Sequence, residues 1–240
     1  MKNIKYKRIL LKLSGEALMG NSSFGIDANT INRFAEEIAN IHNLGTEIGI
    51  VVGGGNIFRG IQANEKGIDK ISGDKMGMLA TVINAIALRN AIEATGIETQ
   101  VQTATFMPQF AELFSEVKAK KMLQDKKIVI FAGGTGNPLF TTDSAAALRS
   151  IEIKADILIK ATNVDGIYDS DPKKNPNAKF YHKITYNDVL NQQLRVMDLT
   201  AIILCKENNK NIAVLNLHTK GNLTKFICGE KIGSIVTSKL

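Results

Sequence analysis

Two lysines of this chain stand where a lysine is awkward unless an anion meets it. Lys12 falls near the end of the apolar run Arg8–Leu13 and is followed by Ser14 and Gly15, and Lys160 closes the run Ile157–Ile159. Arg59 comes just after the triple glycine Gly53–Gly55, and its planar fork suits phosphate oxygens. A further glycine turn, Gly133 to Gly136, follows the apolar run Ile128–Phe131. It leads through Thr141, Thr142, Asp143 and Ser144, all N-cap residue types, into an alanine-rich helix. A strand, a glycine turn and a capped helix leave free backbone N–H groups beside a positive helix end, which attracts phosphate. Taken singly, each feature has an equally good explanation without a ligand: an edge lysine reaching water, a tight connection, a capping Asp143. Their shared placement after apolar runs points to phosphoryl chemistry, in which positioning and charge neutralisation do most of the catalysis. Asp143 is the acid best placed to hold Lys12; Asp74 opens a helix, and a plain capping role suits it as well.

Other chemistries are excluded by what is missing. Neither glycine turn fits G-x-G-x-x-G, because position 58 is Phe and position 139 is Leu, and no Gly-Lys-Ser/Thr of a Walker P-loop occurs. The protein-kinase signatures and the G-x-S-x-G hydrolase elbow are also absent. His42, His182 and His218 are scattered without ligand spacing, so no metal-ligating cluster is expected.

The elements that must position these residues follow from the periodicities. Arg8–Leu13, Ile48–Val52, Thr99–Thr103, Ile128–Phe131, Ile157–Lys160, Ile212–Leu217 and Ile235–Thr237 read as strands. Helices are expected after Asp27 or Asn29 with Gly45 as the stop, from Asp74 to Ala94, from Ala111 to Leu123, after Thr141–Ser144, after Thr185, and from Asp198 to Lys206. A polar segment, Asn56 to Gly73, precedes the long helix. Thr162 to Lys179 is rich in turn residues and long enough to be a functional loop. Strands alternating with helices imply an α/β fold, a largely parallel sheet covered on both faces. In such sheets ligands bind at the carboxyl ends of the strands, where the glycine turns lie.

Composition adds limits. At 240 residues the chain suffices for one large domain or two small ones, and 44% hydrophobic with 22% charged residues is ordinary for a soluble protein. The net charge of +7 is spread without a block of five or six like charges, and no RNA-binding signature occurs. A diffuse positive field serves polyphosphate ligands as readily as nucleic acid. The apolar run after the basic start is broken by Lys12, so no signal peptide is expected, and no stretch approaches a membrane span. Cys205 and Cys228, expected in helices as buried free thiols, point to a reducing compartment and a cytoplasmic location.

Six segments in register resemble the bacterial uridylate kinases of the amino-acid kinase superfamily. They are Tyr6–Leu18 (YKRILLKLSGEAL), Gly53–Gly60 (GGGNIFRG), Asp74–Thr81 (DKMGMLAT), Gly134–Ala146 (GTGNPLFTTDSAA), Lys160–Gly166 (KATNVDG) and Val196–Leu199 (VMDL). The resemblance spans nearly the whole chain. It implies a three-layer α/β/α sandwich in a single domain covering residues 1–240, assembled as a homohexamer. It also implies transfer of the γ-phosphoryl group of ATP to UMP, with Mg²⁺ bridging the phosphates. Carried onto this chain, Lys12, Leu13, Ser14 and Gly15 would hold the transferring phosphates, with Gly55 and Arg59 facing ATP. Thr162, Asn163, Tyr168 and Asp171 would form the adenine and ribose side. Gly54, Asp74 and the stretch Thr135, Gly136, Asn137, Pro138, Leu139, Phe140, Thr141 and Thr142 would take UMP. Asp143 would orient Lys12, and Lys160 and Asp198 would stand in the catalytic neighbourhood.

The resemblance further implies GTP and UTP as effectors, with Arg89 and the excursion Gly20, Asn21, Ser22, Ser23, Phe24 and Gly25 as candidate effector residues. Glu93 and Gln100 stand about where GTP-responsive members carry His and Arg, an exchange that weakens attraction for a triphosphate. The segment Thr105 to Lys121 also departs from the family pattern. Relatives of this fold phosphorylate amino acids or carbamate, and others store molybdate without catalysis. The nucleotide-acceptor character of Thr135–Thr142 weighs against the former, and Lys12 with Asp143 against the latter.

Overall fold

The computed structural model describes residues 4–59 and 67–239. Gly60, which ends the second family-like segment, and the middle of the polar stretch expected from Asn56 to Gly73 lie outside them. Among the described residues the strands are β1 (Arg8–Leu13), β2 (Glu47–Val52), β3 (Thr99–Thr103), β4 (Glu112–Leu113), β5 (Ile128–Ala132), β6 (Ile157–Thr162), β7 (Ile167–Tyr168), β8 (Phe180–Tyr181), β9 (Lys183–Thr185), β10 (Ile212–Asn216) and β11 (Ser234–Thr237). The helices are α1 (Ala28–Asn43), α2 (Lys70–Glu93), α3 (Glu116–Gln124), α4 (Thr142–Glu152), α5 (Tyr186–Asn191), α6 (Leu199–Glu207) and α7 (Asn222–Ile227), with a short 3₁₀ turn at Gly15–Leu18.

Nine strands form one sheet in the order β4-β3-β5-β2-β1-β6-β10-β11-β9, in which only β10 and β11 pair antiparallel. β1 lies between β2 and β6, so the chain winds outward to either side of it. The crevice at its carboxyl end is the switch point at which open α/β sheets bind ligands.

The sheet is covered on both faces, which is why its central strands are apolar almost throughout. Ile9, Leu11 and Leu13 pack with α1 and α2, whereas Leu10 packs on the other face with α4 and α6. In β6, Ile157 and Ile159 join the first face and Leu158 the second. The two-residue period of a strand therefore sends Lys12 and Lys160 to the α4 face. The chain pairs them as direct neighbours, Lys12 opposite Lys160.

Most expected elements form at or near their expected bounds. Asp27 caps α1 by accepting from Thr30 N at 2.7 Å, and Gly45 beyond its end has φ of +103°. Two expectations are corrected. The long helix begins at Lys70, with Asp69 as its cap, so Asp74 lies one turn inside and does not cap it. The helix expected from Ala111 to Leu123 begins only at Glu116, under the cap Ser115. Glu112 and Leu113 instead pair with β3, and Phe114 packs edge-on against Phe131 with the Arg149 guanidinium 3.6 Å over its ring. That pairing and that aromatic anchor outweigh the helix propensity of the segment.

The turn-rich stretch from Thr162 to Lys179 contains β7 and the connection that brings β8 back to pair with it antiparallel. Cys205 is buried in α6, its thiol pushed up to about 12 by burial, an unreactive state. Cys228 is half-buried just past the end of α7.

Candidate active site

The polar centre of the molecule is a carboxylate held between two ammonium groups. Thr141 caps α4 through Asp143 N and Ser144 N, which places Asp143 in the first turn with its side chain over the sheet. Asp143 Oδ1 forms an ion pair with Lys12 Nζ at 2.8 Å, and its Oδ2 accepts a hydrogen bond from Lys160 Nζ at 2.7 Å. Lys160 Nζ also donates to Val196 O at 2.7 Å. Burial alone would raise the Asp143 carboxyl, but the charges of Lys12 and Lys160 overcome it and hold the group below the usual carboxylate range. Burial pushes the Lys160 ammonium below its ordinary value despite the neighbouring carboxylate, and the charge on Lys12 adds to the effect.

Three structural pieces converge beside this bridge. Ser14 accepts from Ala17 N at 3.1 Å and caps the 3₁₀ turn, which leaves Gly15 against the triple glycine. A Cβ on Gly15 would lie 2.7 Å from Gly55 N and 2.8 Å from Gly53 O, and one on Gly53 would lie 3.5 Å from Thr142 Oγ1. The turns after β1 and β2 are thus in backbone contact, with the Thr142 side chain at the start of α4 beside them, and a side chain at Gly15 would separate the two turns.

Two kinds of cleft open from this junction. One, of about 260 Å³, lies between the Gly54–Gly55 turn, α2 and the Gly134–Thr142 loop; Asp74, Thr81, Thr135, Asn137, Phe140, Thr141 and Thr142 line it. On the other side of β1, Lys12, Ser14, Glu16, Gly20, Lys160, Thr162 and Asn163 line a cavity of about 550 Å³. Lys160, Thr162 and Asn163 also border a neighbouring one of about 520 Å³, with Tyr168, Asp171 and residues 192–196 on its walls.

The arrangement brings together most of the residues singled out in the sequence. Gly55 faces the smaller cleft together with Gly54, while Arg59, beyond it, pairs with Glu16 at 2.9 Å. Others stand elsewhere or play another part. The Leu13 side chain is wholly buried in the core, leaving only its backbone near the junction. Gly136 and Pro138 line a separate apolar cavity with Met78, Leu79 and Met107. Leu139 is 63% exposed, and its amide N donates to Asp74 Oδ2 at 2.8 Å, which closes the loop onto α2. Asp198 caps α6 and accepts from Ser144 Oγ at 3.0 Å and from Thr141 Oγ1, so it braces the start of α4.

Of the proposed effector residues, Gly20 borders the large cavity and Gly25 N donates to Asn56 O at 2.9 Å. Asn21, Ser22, Ser23 and Phe24 are exposed. Arg89 Nε lies 3.7 Å from Glu93, a partner in the same helix.

Sequence reasoning missed the Glu16–Arg59 pair, the bracing of Ser144 by Asp198 and a buried pair of amides, Asn56 and Asn84. The signal for the last was present: Asn84 interrupts an apolar helical face between Val82 and Ala85. Among the described residues no three His, Cys, Asp or Glu side chains gather to hold a metal, and no helix is long and apolar enough to cross a membrane.

The chain is similar in sequence and in fold to known proteins. A family model described as the amino acid kinase family matches residues 7–216. A uridylate kinase of Bacteroides thetaiotaomicron is 53% identical over 232 residues, 97% of this chain and 98% of that protein. One from Phocaeicola vulgatus is 51% identical over the same shares. Among solved structures, the UMP kinase of Bacillus anthracis superposes with a TM-score of 0.96 at 39% identity, covering 98% of this chain and 97% of that one.

Proposed function

The chain belongs to the amino acid kinase family, and from that premise we propose that it transfers the γ-phosphoryl group of ATP to UMP, giving UDP and ADP. The observation that carries the proposal is the Lys12–Asp143–Lys160 bridge at the junction of the two glycine turns, with a cleft on either side.

In this reading the ATP triphosphate lies over Lys12, Ser14 and Gly15, and its nucleoside extends past Thr162 and Asn163 toward Tyr168 and Asp171. UMP fills the smaller cleft. Asp74, freed from capping, accepts from the ribose hydroxyls, and the backbone of Gly54 meets the phosphate. Thr135, Asn137 and Thr142 supply further polar contacts.

The γ-phosphoryl then lies near Lys12, whose ammonium neutralises the charge spread over its oxygens during transfer. A donor of this kind contributes about 10²–10³-fold in rate. Asp143 acts on the lysines: it holds both ammonium groups in place and balances their charge inside a partly dry site. The acceptor is already an ionised phosphate, so no general base is required to remove a proton.

Mg²⁺ would be carried by the phosphates of the nucleotide and would supply further positive charge against the transferring group. This suits the donor set here, because Asp143 is engaged by two lysines and no carboxylate cluster stands free among the described residues. An ion that dehydrates reluctantly and leans on phosphate ligands needs no such cluster.

We further place the enzyme in the cytoplasm, in pyrimidine nucleotide synthesis, as a homohexamer; the free cysteines and the exposed apolar residues Met76, Leu79 and Ile83 of α2 support this. GTP and UTP are proposed effectors, and the engagement of Arg89 by Glu93 favours a weak response to GTP.

The test is product analysis by phosphorus NMR after mixing the protein with MgATP and UMP. UDP and ADP in equal amounts are expected. ADP released without UDP would overturn the assignment.

A further inference from the structure

One face of α2 holds both sides of the acceptor cleft. Asp74, Gly77, Thr81 and Asn84 recur at helical spacing along it. Asp74 receives the amide of Leu139, and Thr81 Oγ1 accepts from Gly133 N at 2.8 Å. Gly54 packs so closely that an added Cβ would lie 2.7 Å from Gly77 O. The fourth contact is the deepest. Asn84 is fully buried, and its Nδ2 donates to Gly53 O at 2.7 Å and to Asn56 Oδ1 at 2.6 Å.

Asn56, 1% exposed, returns its Nδ2 to Asn84 Oδ1 at 3.0 Å and to Gly25 O at 2.9 Å. A buried amide with all these atoms paired costs little, whereas one with an atom unpaired is expensive. The pair therefore has a single favourable arrangement. It also abuts the phosphate turn, since a Cβ on Gly15 would lie 2.5 Å from Asn56 Oδ1.

We propose that Asn84 is a positioning residue for phosphoryl transfer. Through Gly53 O and Asn56 it sets the spacing between the donor turn at Ser14–Gly15 and the acceptor turn at Gly54–Gly55. The inference rests on the UMP kinase reading of the site. Asn84 lines neither cleft, so its loss leaves each binding surface in place and disturbs their mutual alignment. Misplacement of reacting groups by about 1 Å costs about 10²-fold in rate.

The experiment measures kcat, the KM for ATP and for UMP, and Tm for Asn84→Ala and for Asn84→Asp. The aspartate has the same shape and, ionised, lacks a donor for Gly53 O. In both variants kcat is expected to fall about 10–100-fold while each KM stays within about threefold of the parent. Wild-type kcat in Asn84→Asp, or a fall in Tm alone, would make Asn84 a packing residue and overturn the proposal. If neither variant folds, Asn84→Ser leaves room for a water beside Gly53 O and carries the same kcat-against-KM split at reduced size; an unchanged kcat there overturns it too. Failure of the unsubstituted protein to phosphorylate UMP is a separate result, and it would sink the functional reading instead.

Discussion

Replacing Asp143 by Asn removes the charge between Lys12 and Lys160 while keeping the shape. In the parent, Asp143 is 9% exposed and its two oxygens lie 2.8 Å and 2.7 Å from the ammonium nitrogens. Without the carboxylate, two ammonium groups on directly paired strands face each other under α4 with no anion between them. Removing one partner of a buried pair costs about 3–5 kcal/mol. In a chain of this length that corresponds to a Tm lower by about 6–20 °C.

The same logic predicts a sign that ordinary destabilisation does not. A bound triphosphate returns negative charge to both lysines, so saturating MgATP should raise Tm more in Asp143→Asn than in the parent. Differential scanning fluorimetry with and without MgATP measures both quantities. A Tm within about 2 °C of the parent, below even the smallest shift expected here, together with an equal nucleotide-induced shift, would refute the view that Asp143 neutralises the lysines.

Other substitutions probe single parts of the site. Lys12→Ala should lower kcat by about 10²–10³-fold and leave UMP affinity intact, checked by steady-state kinetics and UMP titration. Gly54→Ala would force a Cβ against Gly77 O and Ala80 Cβ, so the turn must move off α2 and the KM for UMP should rise. Two pH limbs follow from the bridge. The Asp143 carboxyl is held below its ordinary value, so its stabilising contribution is complete above about pH 4 and is lost as pH falls through the lower folded value. Urea titrations of the parent and Asp143→Asn should therefore diverge less in acid. The Lys160 ammonium is also held low, so it sheds its proton below its ordinary value of 10.5. Across that window the unfolded chain binds more protons, which favours the folded state as pH rises while the charge needed for transfer disappears. The kcat/KM profile should accordingly decline before pH 10.5, and Lys160→Arg should move that limb upward.

What could be read without coordinates was set by local chemistry. Lys12 and Lys160 stood out because a charged residue in an apolar strand is rare unless paired, and Asp143 stood out as a cap able to hold Lys12. That one carboxylate serves both lysines depends on the register of β1 with β6, which no local pattern encodes. Asp74 looked like a helix cap because it follows the polar segment Asn56 to Gly73. The cap is Asp69, and this shift frees Asp74 to receive Leu139. Phe114 falls in a segment whose local pattern is helical, and nothing nearby in the sequence shows that it anchors on Phe131 and Arg149. Gly136 and Pro138, although within the acceptor segment, turn toward another cavity, because the positive φ of Gly133, Gly134 and Gly136 winds the loop in a way that side-chain type does not reveal.

The identity of the acceptor bears most directly on the account. ADP release by the purified protein, coupled to a spectrophotometric readout, can be compared for UMP, CMP, AMP and acetylglutamate at equal concentration, with and without GTP. The cleft framed by Asp74, Thr135, Asn137 and Thr142 predicts turnover with UMP well above every other acceptor. Activity confined to a non-nucleotide acceptor would contradict it.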